Sequence, residues 1–266
     1  MSLLHSELKA LVLDLDGTLF LGEAVVPGFM EFFEFLQINN LPFVVASNNA
    51  TKSPADYARK FRKQGVKVGE DAILTAGIAT VEYLVKVYGK KACLYVIGEQ
   101  ALTGPLIEAG FSLQKDSSRP VEAVIVGGDS GLNYEKLKNA ALLLQKGADL
   151  VGTNPDVLYP CEEGLVPEAG TTLAALQAAT GVVPQIVGKP HRYLFDLAVT
   201  RLGVKASRTA VLGDRLETDI LGGKRAGLRT ILTTTGVDNE ITMGQKDIYP
   251  DWIVSGLEEL IELWSM

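Results

Sequence analysis

The chain is predicted to be an α/β protein, a largely parallel sheet with helices on both faces and a second α/β domain inserted into it. Three observations predict this. Short β-rich apolar runs alternate with helical stretches along the 266 residues. The alternation restarts near Ala92 as a self-contained group that closes near Val183. Polar residues able to do chemistry fall at successive strand ends, where open parallel sheets bind ligands. The expected division is a core of residues 1–80 and 184–266, with residues 81–183 as the inserted domain.

The elements follow in order. Ala10–Leu15 is an apolar run of β type and reads as a buried strand. Pro27–Gln37 reads as a helix, because Phe29, Phe32, Phe33 and Leu36 recur along one face and belong to the core. Pro42–Ala46 is the next strand. Ser53-Pro54 then supplies an N-cap and a proline at the first helical position, and Gly65 closes that helix. A short strand at Ile73–Thr75 and a helix at Ala79–Tyr88 complete this part. The inserted group runs through strand Ala92–Ile97, a helix ending at Ala109, strand Ala123–Val126 and helix Tyr134–Lys146. Strand Leu150–Gly152 and helix Thr171–Ala179 finish it. Strand Gln185–Val187, helix Arg192–Leu202 and strand Thr209–Leu212 return to the core. Helix Asp219–Ala226, strands Thr230–Thr233 and Trp252–Val254, and helix Leu257–Leu263 end the chain.

Bulk properties exclude several classes. A net charge of -7 argues against nucleic-acid binding, which usually needs a basic face. The longest apolar runs are too short to span a bilayer. Met1 to Lys9 carries His5, Glu7 and Lys9 and no apolar stretch, so no secretory leader is expected. Two cysteines, Cys93 and Cys161, rule out a disulfide framework and fit a reducing, cytoplasmic setting as small packing residues. With only His5 and His191 beside them, a structural zinc site is not expected.

The stretch Leu11-Val12-Leu13-Asp14-Leu15-Asp16-Gly17-Thr18 carries the most information. A buried strand should not end on two carboxylates, because burying charge without a partner is costly. Period-two alternation puts Asp14 and Asp16 on one side of the chain. Two acids converging there can hold a divalent cation while one attacks phosphorus. Strand Pro42–Ala46 ends in Ser47-Asn48-Asn49, whose hydroxyl and amides can bond phosphate oxygens. Strand Gln185–Val187 ends in Gly188-Lys189-Pro190, with Gly allowing close approach, Lys189 a fixed positive charge and Pro190 starting the next helix. Strand Thr209–Leu212 ends in Gly213-Asp214-Arg215, with Asp219 five residues beyond Asp214. Each of these alone is more often a turn or a solvated charge. Their joint occurrence, in this order, is hard to obtain by chance.

On these four motifs the sequence resembles the haloacid dehalogenase (HAD) superfamily of phosphohydrolases, over nearly its whole length. The insertion between Ser47 and Lys189 is similar to that of the type 2 capped members. Thr153-Asn154-Pro155-Asp156 and Gly170-Thr171-Thr172-Leu173 resemble the cap of the NagD / 4-nitrophenylphosphatase-like subfamily. That group includes pyridoxal phosphate, phosphoglycolate and nucleotide phosphatases and the phospholysine phosphohistidine pyrophosphate phosphatases. The resemblance implies a Rossmann-like core with an α/β cap. It implies a Mg²⁺-dependent phosphatase acting on a small phosphorylated metabolite through an aspartyl-phosphate. Asp14 is then the nucleophile, and Asp16 the acid and base. Ser47, the Asn48 backbone and Lys189 bind the phosphate, with Asn154 on the substrate side. Asp14, Asp16 through its backbone carbonyl, and Asp214 hold Mg²⁺, with Asp219 behind them or acting through water. Metal dependence also follows from charge, since such a carboxylate cluster would raise its own pKa values without cations.

Asp16 favours a phosphatase over a dehalogenase, which has no leaving oxygen to protonate. A phosphotransferase or mutase would use the same nucleophile with a hydroxyl in place of water. A non-catalytic protein binding a phosphometabolite is the alternative of another class, but Asp14, Asp16, Lys189 and Asp214 are all present. A nucleotide-binding Rossmann protein is disfavoured, because no Gly-x-Gly-x-x-Gly follows the first strand. The loop Pro160–Thr172, with Glu162 and Glu163, reads as a solvated loop or as a screen against a second phosphate. Caps of this kind offer a surface for a homodimer; neither a nucleic acid nor a membrane is an expected partner.

Overall fold

The computed structural model describes residues 7–161 and 163–265. His5 and Glu162, singled out above, lie outside the described residues. The chain forms two compact units. The first comprises Met1–Ser47, Pro54–Leu74 and Lys189–Met266, and the second Asn48–Ser53 with Thr75–Gly188.

The first unit is built on a six-stranded sheet. In chain order its strands are β1 (Ala10–Leu13), β4 (Phe43–Ser47), β5 (Ile73–Thr75), β13 (Thr209–Gly213), β14 (Arg229–Thr233) and β15 (Trp252–Val254). Their spatial order is β15-β14-β13-β1-β4-β5. β1 lies at the centre, parallel to β13 on one side and to β4 on the other. A central strand must be apolar on both faces, and Ala10 to Leu13 are all fully buried. Leu11, Leu13 and Leu15 face a cluster that includes Phe29, Phe32, Phe33, Phe61, Leu260 and Trp264. Val12 points the other way, where helix Arg192–Leu202 packs on β1 and β4. Phe20, Phe29, Phe33 and Phe61 meet mostly edge to face, with ring centroids 5.0–6.0 Å apart. A short hairpin, β2 (Phe20–Leu21) with β3 (Ala24–Val25), follows β1.

The register of the ladder decides where polar chemistry can gather. Leu13 is level with Val45 and with Leu212. Asp14, Ser47 and Asp214 therefore leave the sheet at the same edge, the carboxyl ends of three adjacent parallel strands.

The second unit carries a five-stranded parallel sheet. Its strands are β6 (Cys93–Ile97), β7 (Ser112–Gln114), β8 (Ala123–Val126), β9 (Asp149–Gly152) and β12 (Gln185–Ile186), in the order β12-β9-β8-β6-β7. Helices Tyr134–Gln145 and Ala169–Thr180 bury Ala140, Leu143, Leu173 and Leu176 in its core, with Tyr95 among them. Three strands here depart from the sequence expectation, and the first is β7, which falls where no strand was expected. The other two overlap the expected loop Pro160–Thr172 and form an antiparallel hairpin, β10 (Leu158–Cys161) with β11 (Gly164–Pro167). It escaped a hydrophobic reading because neither strand has a core side, and Leu158 and Leu165 are exposed. Cys161 sits on it and is exposed rather than packed, whereas Cys93 is half-buried beside the core. No helix among the described residues is long and apolar enough to cross a membrane.

Candidate active site

Asp14 follows β1 directly, and its backbone N–H donates to the Leu212 carbonyl at 2.9 Å. That bond anchors the residue where β1 and β13 end together. Its carboxylate accepts from the Thr18 hydroxyl at 3.2 Å and from Lys189 Nζ. Lys189 is 2% exposed and also donates to Asp219 Oδ1 at 2.6 Å. A lysine this deep is stable only if paired. Burial opposes its charge, but the facing Asp14 and Asp219 outweigh burial and hold the ammonium above the ordinary lysine range. Pro190 does not begin a helix. It sits in a turn after a cis Lys189-Pro190 peptide, and the helix starts at Arg192.

Asp214 is fully buried just after β13. The Val237 N–H donates to its Oδ2 at 2.8 Å, and the Asp238 N–H to its backbone carbonyl at 3.0 Å. No donor reaches Oδ1, which is buried. Two glycines make room for this carboxylate. A Cβ at Gly17 would lie 2.3 Å from Asp214 Oδ2, and one at Gly236 2.0 Å from the same oxygen. Gly17 also has φ of +93°, a left-handed conformation that side chains disfavour. Asp219 lies in a single π-helical turn, Leu216–Ile220, where a plain α-helix from Asp219 was expected. The apolar Leu216 and Ile220 anchor that turn in the core. Asp219 Oδ2 accepts from the Arg215 N–H at 3.2 Å and from the Thr218 hydroxyl at 3.3 Å. Both of its oxygens are thus occupied, unlike those of Asp214.

One oxygen from each of Asp14, Asp214 and Asp219 lies within 4.8 Å of the others. Such a cluster strains its own ionisation. Burial, then the charges of Asp14 and Asp219, push the Asp214 carboxyl up to about 8. Burial and Asp14 push Asp219 up to about 6 against the pull of Lys189. In the unfolded chain both titrate near about 4. The folded, metal-free protein therefore holds extra protons between these limits, and that stabilisation is present at low pH and lost as pH rises. In EDTA, the melting temperature is expected to fall from about pH 5 to about pH 8. A divalent cation added at the upper end should raise it again. A melting temperature that rises over this range in EDTA would contradict the cluster.

Ser47 ends β4, is 3% exposed, and its hydroxyl lies 3.5 Å from the Tyr57 hydroxyl. Asp16 stands half-buried beside Gly17 in an isolated bridge with Phe20. Asn48 and Asn154 belong to the second unit. Asn154 donates to the Asn48 carbonyl at 2.9 Å and accepts from the Asp156 N–H at 3.0 Å. Asn48 donates to Asp156 Oδ2 at 2.9 Å. The two amides thus brace residues 48–53 against residues 153–156. His191 is exposed at an N-cap position and its side chain makes no capping bond. Sequence reasoning missed Thr18 as a partner of Asp14, and it missed Thr235, Gly236 and Asp238 altogether.

A haloacid dehalogenase-like hydrolase model matches residues 11–112, and a HAD-hydrolase-like model matches residues 186–260. The acid sugar phosphatase of Staphylococcus aureus strain USA300 is 34% identical over 95% of this chain and 96% of its own length. The structure of 4-nitrophenylphosphatase from Thermotoga maritima superposes with a TM-score of 0.91 at 36% identity, covering 97% of this chain and 98% of that one. NagD from E. coli K-12 gives a TM-score of 0.88 at 32% identity, covering 95% and 98% respectively. The chain belongs to the haloacid dehalogenase superfamily of hydrolases. Within it, the chain falls in the NagD / 4-nitrophenylphosphatase-like subfamily and is a phosphatase, a hydrolase of phosphoric monoesters.

Proposed function

We propose that this phosphatase is Mg²⁺-dependent and hydrolyses a small phosphorylated metabolite through an aspartyl-phosphate on Asp14. The observation that carries the reading is a fully buried lysine shared by two carboxylates, next to an Asp214 oxygen without a donor. An oxygen-only donor set suits a hard cation such as Mg²⁺. Asp14, Asp214 and the Asp16 backbone carbonyl would hold it, with Asp219 acting from behind or through water. When bound, the cation supplies positive charge that offsets the repulsion between Asp14 and the phosphate.

The chain's own groups carry the chemistry. The Asp14 carboxylate attacks phosphorus, the bond to Asp14 forms, and the ester P–O bond breaks. Asp16 gives its proton to the leaving oxygen. Asp16, now a carboxylate, takes a proton from water, whose oxygen attacks phosphorus. Orthophosphate leaves and Asp14 is regenerated. Lys189 balances charge on Asp14 and on the transferred group. The Ser47 hydroxyl bonds a phosphate oxygen, and the Asn48 backbone with Asn154 supports substrate binding. We take the second unit to be the cap that excludes water and selects substrate.

The name of the staphylococcal relative puts sugar phosphates first among substrates. The test is phosphate release from a panel of sugar phosphates and other phosphorylated metabolites, with 4-nitrophenyl phosphate as a generic ester. Turnover with Mg²⁺ and none in EDTA is expected. Full turnover by metal-free protein would overturn the metal dependence, and a best rate on a non-sugar ester would redirect the substrate.

A further inference from the structure

The loop between β14 and helix Glu240–Lys246 grips the carboxylate cluster from behind, although none of its side chains belongs to the four motifs. The Thr235 hydroxyl donates to the Gly17 carbonyl at 2.7 Å, which ties the loop to the segment bearing Asp14 and Asp16. The Val237 and Asp238 N–H groups hold Asp214 by Oδ2 and by its carbonyl. Asp238 Oδ2 accepts from the Leu216 N–H at 2.8 Å, at the start of the turn that carries Asp219. One loop therefore touches three of the segments that build the cluster. What fixes the loop is Asp238 itself. It is 1% exposed, and its Oδ1 accepts from Lys246 Nζ at 2.9 Å, while the same ammonium reaches Glu217 at 2.7 Å.

We propose that Asp238 is a positioning residue for cation binding: anchored by Lys246, it holds the loop so that the Val237 N–H takes Asp214 Oδ2 and leaves Oδ1 free for the cation. The inference rests on the reading of Asp14 and Asp214 as a divalent-cation site. Groups that orient ligands from behind typically govern metal affinity by about 10- to 100-fold.

The experiment is calorimetric titration of metal-free protein with Mg²⁺, beside phosphate release from 4-nitrophenyl phosphate against Mg²⁺ concentration. Wild type, Asp238→Ala, Asp238→Asn and Lys246→Met are compared, with Asp214→Asn as the control for the cation site. Asp238→Ala should weaken Mg²⁺ binding roughly 10- to 100-fold. Its kcat at saturating Mg²⁺ and its KM for the ester should stay within about threefold of wild type. Lys246→Met and Asp238→Asn, which keeps an acceptor for the Leu216 N–H, should give smaller losses of affinity in the same direction. The two conservative variants carry the test where the alanine variant does not fold. Mg²⁺ affinity unchanged in folded variants, with only the melting temperature lowered, would overturn the proposal and leave Asp238 merely structural. Wild type that binds no Mg²⁺, or binds it equally well as Asp214→Asn, would instead overturn the cation site.

Discussion

Asp14→Asn is expected to leave the chain folded and to lower phosphate release by roughly four orders of magnitude or more. The substitution changes almost no volume. The single amide oxygen can still accept from Lys189 Nζ, while the amide NH2 takes the place of the other oxygen and can donate to the Thr18 hydroxyl. What disappears is the negative oxygen that attacks phosphorus, and a neutral amide has no comparable nucleophilicity. The charge balance of the cluster shifts as well. Asp14 is one of the charges that raises Asp214 and Asp219. Without it, both carboxyls should ionise at lower pH, and the loss of stability between about pH 5 and about pH 8 in EDTA should flatten. Two independent readouts therefore move together, one kinetic and one thermodynamic. Retention of more than about one per cent of turnover would remove Asp14 from the nucleophile's place, and an unchanged pH profile would show that the three carboxylates do not interact.

Much of this site was legible because each of its motifs is a local break in pattern. Leu11 to Leu13 form an apolar run that must be buried on both faces, so a pair of carboxylates immediately after it signals a site. Ser47, Lys189 and Asp214 likewise follow short apolar runs. The sequence does not show which strands are neighbours. The pairing of Leu13 with Leu212 and with Val45 brings Asp14, Asp214 and Ser47 to one edge, and pairing is a property of the tertiary fold. Hairpin β10–β11 was illegible because its alternation has no buried side and Pro160 and Pro167 interrupt it. Asp238 was illegible for a different reason. Thr-Gly-Val-Asp-Asn reads as a polar turn, and its meaning depends on Leu216, 22 residues back, and Lys246, 8 residues on. One local signal was available. Asn239 and Thr242 form a capping box that fixes where the helix starts and leaves Asp238 just ahead of it.

Lys189→Met should be the most damaging single change to the metal-free protein. Lys189 is buried between Asp14 and Asp219, and an apolar side chain of similar length fills its space without its charge. Removing one partner of a buried ion pair costs about 3–5 kcal/mol, because the remaining charge keeps its desolvation cost without its compensation. Here three carboxylates are left facing one another. The deficit should depend on pH, and the sign follows from the carboxyls rather than from the lysine. The lysine's folded pKa is raised, so its contribution is complete below about 10 and is lost only at higher pH. Asp214 and Asp219, in contrast, bind protons more tightly when folded, and without Lys189 they should do so at still higher pH. Protonation relieves the cluster, so the difference from wild type in EDTA should shrink from about pH 8 to about pH 5. Mg²⁺ at the upper pH should recover part of the lost stability, because it replaces the missing positive charge, while turnover stays at least roughly 100-fold below wild type. Chemical denaturation at the two pH values measures this directly. A variant within about 1 kcal/mol of wild type at the upper pH would show that Lys189 is not the cation holding the cluster together. An equal deficit at both pH values would show that its carboxylate neighbours do not take up protons in its place.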